Sequence, residues 1–114
     1  MAKLEDIKKE ITKVSEEKDF IAEQMRIRDE EEDKFELFYK SSLKELENAK
    51  ESVGNDTKML ADIEGFQDEL VGMKNQLVEA FANAKDELLN KSRSLEDDYE
   101  SLLKKENELK LSNE

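Results

Sequence analysis

The sequence contains no cysteine, no histidine, no proline and no tryptophan, and only three of its 114 residues are glycine. Without cysteine or histidine the chain can form no disulfide, no Ser-His-Asp triad and no ordinary zinc site. The absence of cysteine leaves the redox compartment undetermined. Because carboxylates are the main acid–base groups that remain, we predict that the protein is not an enzyme. We also predict no catalytic residue, no cofactor and no metal ligand.

The shortage of turn-forming residues indicates a chain built from a few long helices. Turns use glycine and proline, and the three glycines here all lie in the middle third of the sequence, at positions 54, 65 and 72. Charged residues make up 44% of the chain and hydrophobic residues 36%. This composition is typical of long helices that meet along a narrow apolar seam.

Acidic charge is in large excess, with 31 Asp and Glu against 19 Lys and Arg, a formal net charge of −12. A strongly negative protein repels nucleic acid and anionic lipid, so we predict that neither is a partner. No stretch is long and apolar enough for a membrane span, and the N-terminal sequence is acidic, unlike a signal peptide. The acidic run at 96–98 has no loop around it that could converge its carboxylates on a metal ion.

Apolar residues recur at helical spacing in both halves of the chain, in steps of three, four and seven. The acidic run at 28–34 thins the first stripe, but it contains no proline or glycine, and we interpret it as a solvated part of a continuous helix. The first stripe comprises Leu4, Ile7, Ile11, Val14, Ile21, Met25, Phe35, Phe38, Tyr39, Leu43, Leu46 and Ala49. The second comprises Met59, Ile63, Phe66, Leu70, Met73, Leu77, Phe81, Ala84, Leu88, Leu95, Tyr99, Leu102 and Leu109.

One turn signal separates the two stripes. Gly54 suits the left-handed position that ends a helix, and Asn55, Asp56 or Thr57 can each cap the start of the next helix. Because a short loop between long helices makes them antiparallel neighbours, we predict an all-α, antiparallel two-helix hairpin that forms a single domain over residues 1–114. Its predicted parts are a helix over 3–51, a turn over 52–55 and a helix over 56–110.

Folding the chain about residue 55 pairs position i with about 110 − i. In that register Phe38 faces Gly72, and Phe66 lies near Leu43 and Leu46. Two interpretations of Gly65 and Gly72 stay open. The glycines either let the helices approach closely or allow a flexible kink, because glycine costs about 1 kcal/mol relative to alanine inside a helix.

The second helix is more apolar around residues 77–84 than one seam requires, which indicates a surface for docking further helices. We predict that Val78 and Phe81 anchor a partner helix there, assisted by Phe20 or Phe38, since interface anchors are usually aromatic or aliphatic side chains. An isolated two-helix hairpin is marginally stable, so the partner is either another protein or a second copy in a homodimer.

A helical hairpin of this length and acidity, with a turn at Val53-Gly54-Asn55 and no cysteine, resembles the small Esx-like proteins of the WXG superfamily. It is most similar to the LXG-toxin-associated α-helical (Lap) proteins of bacterial type VIIb secretion. The superfamily's Trp-x-Gly turn is absent. The C-terminal Tyr-x-x-x-Asp/Glu export signal is also absent, because Leu103 follows Tyr99 and Leu43 follows Tyr39 at the fourth position.

The resemblance implies an accessory, chaperone-like targeting factor that binds the helical N-terminal LXG domain of a toxin and supports its export. A second small helical protein would then supply the export signal. The expected location is the bacterial cytoplasm, with co-export beside the partner as the alternative. Two other functions stay open, a structural homo-oligomeric coiled coil and a prefoldin-like chaperone subunit.

Overall fold

The computed structural model describes residues 3–112, and these form two long antiparallel helices with no strand among them. Helix α1 spans Leu4–Val53 and helix α2 spans Thr57–Ser112. The predicted all-α helical hairpin is therefore confirmed. The helix ends differ from the predicted ones by at most two residues.

The N-terminus of α1 is capped by a residue of its own first turn. The Asp6 carboxylate accepts a hydrogen bond from the backbone N–H of Lys3 at 3.4 Å, and the Asp6 N–H donates to the Lys3 carbonyl at 3.0 Å. Both contacts satisfy groups that a helix terminus leaves unpaired. The helix then continues without a break through the acidic run at 28–34, as predicted.

The turn between the helices consists of the three residues 54–56. Gly54 has a φ of 58°, the left-handed conformation that only glycine adopts without strain. Asp56 is the residue that caps α2, because its carboxylate accepts a hydrogen bond from the Met59 N–H at 3.1 Å. Asn55 lies between them and is exposed.

The hairpin contains two compact units. The turn unit is Arg28–Ala84, and the terminal unit comprises the described residues up to Ile27 and from Lys85 onward. The division in α1 coincides with the start of the acidic run, where the apolar stripe thins.

In the terminal unit the seam is built from Ile7, Ile21 and Leu102, which are all buried. Beside it the Lys18 ammonium lies 2.6 Å from a Glu96 carboxylate oxygen and 4.2 Å from the centre of the Tyr99 ring. The hydrogen bond to Glu96 is the main cause that raises the pKa of Lys18.

A second charged pair in the terminal unit lies within α1. The Arg26 guanidinium donates hydrogen bonds to Glu23, one helical turn earlier, and these lower the pKa of that carboxyl.

In the turn unit Ile63 and Leu70 are buried, and aromatic rings fill the seam between the two helices. The Phe35 ring lies 6.3 Å from the Phe81 ring on the opposite helix, and also 6.3 Å from the Tyr39 ring on its own helix. Ring pairs at this separation add favourable energy to the apolar area that they bury.

The register differs from the predicted one by about one helical turn. The residue numbers of the facing pairs Lys18–Glu96 and Phe35–Phe81 add to 114 and 116, against the predicted 110. Phe66 does share a groove with Leu46, as predicted.

The predicted packing of Phe38 against Gly72 is wrong. A Cβ added at Gly65 or Gly72 would have no heavy atom within 4 Å. Neither glycine is therefore needed to let α1 pack closely against α2. Phe38 is itself largely exposed, and α2 runs through both glycines without interruption.

Substituting glycine by alanine should have opposite effects at the turn and inside α2. Gly54→Ala should lower the free energy of unfolding by about 1 kcal/mol, because alanine is strained at a positive φ. Gly72→Ala should raise it by about 0.5–1 kcal/mol, since alanine favours the helix and meets no neighbour. Urea unfolding followed by circular dichroism at 222 nm measures both, with Gly65→Ala as a second control inside the helix. Equal effects at 54 and 72 would contradict the left-handed turn.

The Lys18 ammonium should titrate above 10.5, the ordinary value for a lysine, and Glu96→Gln should move its pKa back toward that value. Because the pKa of Lys18 is higher in the folded than in the unfolded protein, the stabilising contribution of the pair is fully present at neutral pH. That contribution is lost as the pH rises through the folded pKa of Lys18. NMR titration of the Lys18 side-chain carbons in the parent and in the Glu96→Gln protein measures this. An unchanged Lys18 pKa in the Glu96→Gln protein would contradict the pairing.

Candidate partner-binding surfaces

Large apolar side chains are exposed mainly in the turn unit. Only two residues of this unit, Ile63 and Leu70, are buried and apolar. Seven large apolar side chains of the same unit are exposed to water. They are Leu37, Phe38, Met59, Phe66, Val71, Met73 and Val78.

One side of the turn unit, here named the bridged flank, is crossed by polar side chains. Its groove of about 260 Å³ is lined by Glu32, Phe35, Glu36, Tyr39, Lys40, Lys74, Val78 and Phe81. The Lys74 ammonium of α2 lies 4.7 Å from the centre of the Tyr39 ring of α1. Lys40 pairs with Glu36 at 3.2 Å. Both positive charges of this groove therefore already have partners within the hairpin.

A further polar contact spans the same flank. The Gln67 amide donates a hydrogen bond to the Glu47 carboxylate at 2.8 Å, between the two helices. Gln67 precedes Lys74 by seven residues, which places both on the same side of α2. The bridged flank thus carries two polar contacts between α1 and α2.

The opposite side of the turn unit, here named the open flank, is apolar with an acidic border. Its groove of about 350 Å³ is lined by Ser42, Glu45, Leu46, Phe66, Glu69, Leu70 and Met73. Phe66 is 57% exposed and Met73 is 48% exposed. Glu45 and Glu69 have no ion-pair partner among the described residues. Phe38 precedes Ser42 by four residues, so it lies on this side of α1.

Within the turn unit the structure does not bring the predicted anchor residues together on one surface. Val78, 49% exposed, lines the groove of the bridged flank, whereas Phe38, 57% exposed, lies four residues before Ser42 of the open flank. Phe20, 62% exposed, belongs to the terminal unit. Phe81 is half-buried against Phe35, so it takes part in the seam that holds the hairpin together. A role for each in partner binding stays a prediction.

Sequence reasoning assigned Phe66 and Met73 to the seam, although both lie at its edge and are exposed. The sequence signal that distinguishes these two residues from the seam positions is a second apolar stripe with a seven-residue spacing. Met59, Phe66 and Met73 recur four residues before the seam positions Ile63, Leu70 and Leu77. Two parallel stripes of this kind widen the apolar face beyond what one partner helix covers.

The terminal unit has grooves with mixed charge. One of about 370 Å³ is lined by Glu10, Lys13, Val14, Glu17, Asp98, Ser101, Leu102 and Lys105. Over residues 3–112, no group of three or more acidic side chains is arranged to hold a metal ion. Neither α1 nor α2, within its described length, has an apolar segment that could cross a membrane.

Comparisons of the chain with protein-family models, with curated proteins and with solved structures find no significant match. The surfaces described above are therefore the basis for a functional proposal.

Serine substitutions at Phe81 and Val78 should lower the free energy of unfolding by different amounts, because Phe81 lies in the seam and Val78 on the surface. Phe81→Ser should lower the free energy of unfolding by about 2 kcal/mol or more, because it removes the ring that packs on Phe35. Val78→Ser should lower it by less than about 1 kcal/mol, since half of that side chain is already in water. Urea unfolding of the two variants and the parent measures the difference. Equal losses at both positions would show that Val78 also belongs to the seam.

Proposed function

We propose that this protein is a non-enzymatic interaction protein whose helical hairpin packs against helices of a partner protein. The observation that carries the proposal is the imbalance in the turn unit, which exposes seven large apolar side chains and buries two apolar residues. Two of the exposed side chains, Phe66 and Met73, line one groove, and adjacent exposed apolar side chains commonly mark contacts with other proteins. The lack of histidine and cysteine favours binding over catalysis.

More specifically, we propose that the protein is an accessory factor for a type VII secretion toxin. The chain would bind the helical N-terminal LXG domain of the toxin in the bacterial cytoplasm and support its export as a targeting or chaperone-like partner. A second small helical protein would supply the export signal. Support comes from the resemblance stated above, in length, acidity, central turn and two-helix architecture.

A structural homo-oligomeric coiled coil is the second candidate. It is favoured by the seven-residue spacing of Met59, Phe66 and Met73, which is the repeat that coiled-coil seams use. A prefoldin-like subunit fits less well. Such subunits carry a β-hairpin between their helices, whereas three residues separate α1 from α2 here.

The proposal predicts that the purified protein is markedly stabilised by its partner. A tagged protein expressed in the organism that encodes it should copurify an LXG toxin and a small helical protein, both identifiable by mass spectrometry. Coexpression of the three should yield a stoichiometric complex that melts well above the isolated hairpin, because a partner that binds only the folded state stabilises it.

Other results would contradict the toxin assignment in distinct ways. Copurification of the chain with itself alone, with a dimer or larger assembly in sedimentation, would support the coiled-coil candidate. Capture of many unfolded proteins would support a general chaperone. A monomer that melts above about 80 °C in isolation would contradict the expectation that the hairpin depends on a partner for its stability.

A further inference from the structure

The two flanks of the turn unit differ in what their polar groups do. On the bridged flank Lys74 lies over Tyr39, and Gln67 hydrogen-bonds to Glu47 across the helix pair. On the open flank the groove has two acidic side chains, Glu45 and Glu69, and no basic one. Only the open flank therefore offers apolar surface together with charge that the described part of the hairpin does not neutralise.

We propose that the open flank binds an amphipathic helix of another protein, with an apolar stripe bordered by Lys or Arg. This inference rests on the proposed function and adds to it the place and the chemistry of the contact. The partner's apolar stripe would occupy the groove over Leu46, Phe66 and Met73. Its basic residues would pair with Glu45 and Glu69 on the two sides of the groove.

The apolar part of the site has the spacing that a helix needs. Phe66 and Met73 are seven residues apart, a rise of about 10.5 Å along α2, which matches anchors at i and i+7 on a docked helix. Ser42 and Leu46 line the groove from α1, so a ligand helix would contact both helices of the hairpin. Phe38 lies on the same side of α1 and extends the apolar surface.

Charge complementarity distinguishes such a partner from a second copy of this chain. A second copy carries the same net charge of −12 and would place its own Glu45 and Glu69 near those of the first. Like charges brought together at an interface oppose association, whereas Lys or Arg at the same positions favour it. Asp62 precedes Glu69 by seven residues and extends the acidic border along α2.

Synthetic helical peptides of about 20 residues test the inference without knowledge of the natural partner. The basic peptide carries a leucine stripe bordered by lysine. The acidic peptide has the same stripe bordered by glutamate. The scrambled peptide has the composition of the basic one, with its leucines dispersed around the helix. Fluorescence anisotropy of each labelled peptide with the full-length protein measures the three dissociation constants.

The basic peptide should bind about tenfold or more tightly than either control peptide. Phe66→Ser and Met73→Gln should each weaken it about tenfold, as expected for interface anchors. Leu37→Ser is the matched control, because Leu37 is 70% exposed but lines neither groove, and its variant should bind like the parent. Glu45→Gln with Glu69→Gln should weaken binding and reduce its dependence on salt. Circular dichroism checks that each variant is folded.

Several results would overturn the inference. Equal binding of the scrambled peptide would show non-specific attraction to an acidic protein. Equally tight binding of the acidic and the basic peptide would show that the acidic border does not select for basic residues on the partner. Loss of binding in Val78→Ser but not in Phe66→Ser would place the site on the bridged flank. A dimer in sedimentation that Phe66→Ser dissociates would show that a second copy covers the open flank.

The outcome is separable from that of the proposed function. If the natural partner copurifies but its binding survives Phe66→Ser and Met73→Gln, the function stands and the open-flank assignment is wrong. If the basic peptide binds as expected but no toxin copurifies, the open flank stands as a helix-binding site and the toxin assignment is wrong.

Discussion

Each of the two units depends on a narrow apolar seam between its segments of the two helices. A helix pair can bury only one side of each helix, so every other side is left to water. Among the described residues the seam of the terminal unit buries Ile7, Ile21 and Leu102, the seam of the turn unit buries Ile63 and Leu70, and no polar residue is buried. Partly buried contacts such as the Phe35–Phe81 ring pair add to this burial. Apolar residues that do not fit into the seam therefore form surface.

The two flanks of the turn unit are the main consequence of that constraint for function. Both flanks border the same seam, and both expose apolar side chains. They differ because the long polar side chains of Lys74 and Gln67 make contacts between the two helices on one flank, whereas short or acidic side chains line the groove of the other. A flank whose polar groups already contact each other has less to gain from a partner than one whose acidic groups have no partner within the described part of the hairpin. This asymmetry is a physical basis for docking on one side.

Several features could be predicted because they depend on local chemistry. Gly54 marks the turn since only glycine adopts its positive φ without strain, and Asp56 is one of three adjacent residues able to cap α2. The helix bounds were predicted to within two residues for the same reason. The apolar stripes identified the seam in outline. They did not distinguish the seam position Leu70 from its exposed neighbour Phe66, because both repeat every seven residues.

Local sequence chemistry is enough to specify two long helices joined at Gly54, with an acidic surface and none of the side chains of thiol or imidazole chemistry. The register is set instead by packing between the helices, because a seven-residue pattern fits almost equally well when one helix shifts by a turn. The shift of about one turn changed which residues face each other. It separated Phe38 from Gly72 and paired Phe81 with Phe35. Such distinctions depend on contacts between residues far apart in the chain, which helical spacing alone does not encode.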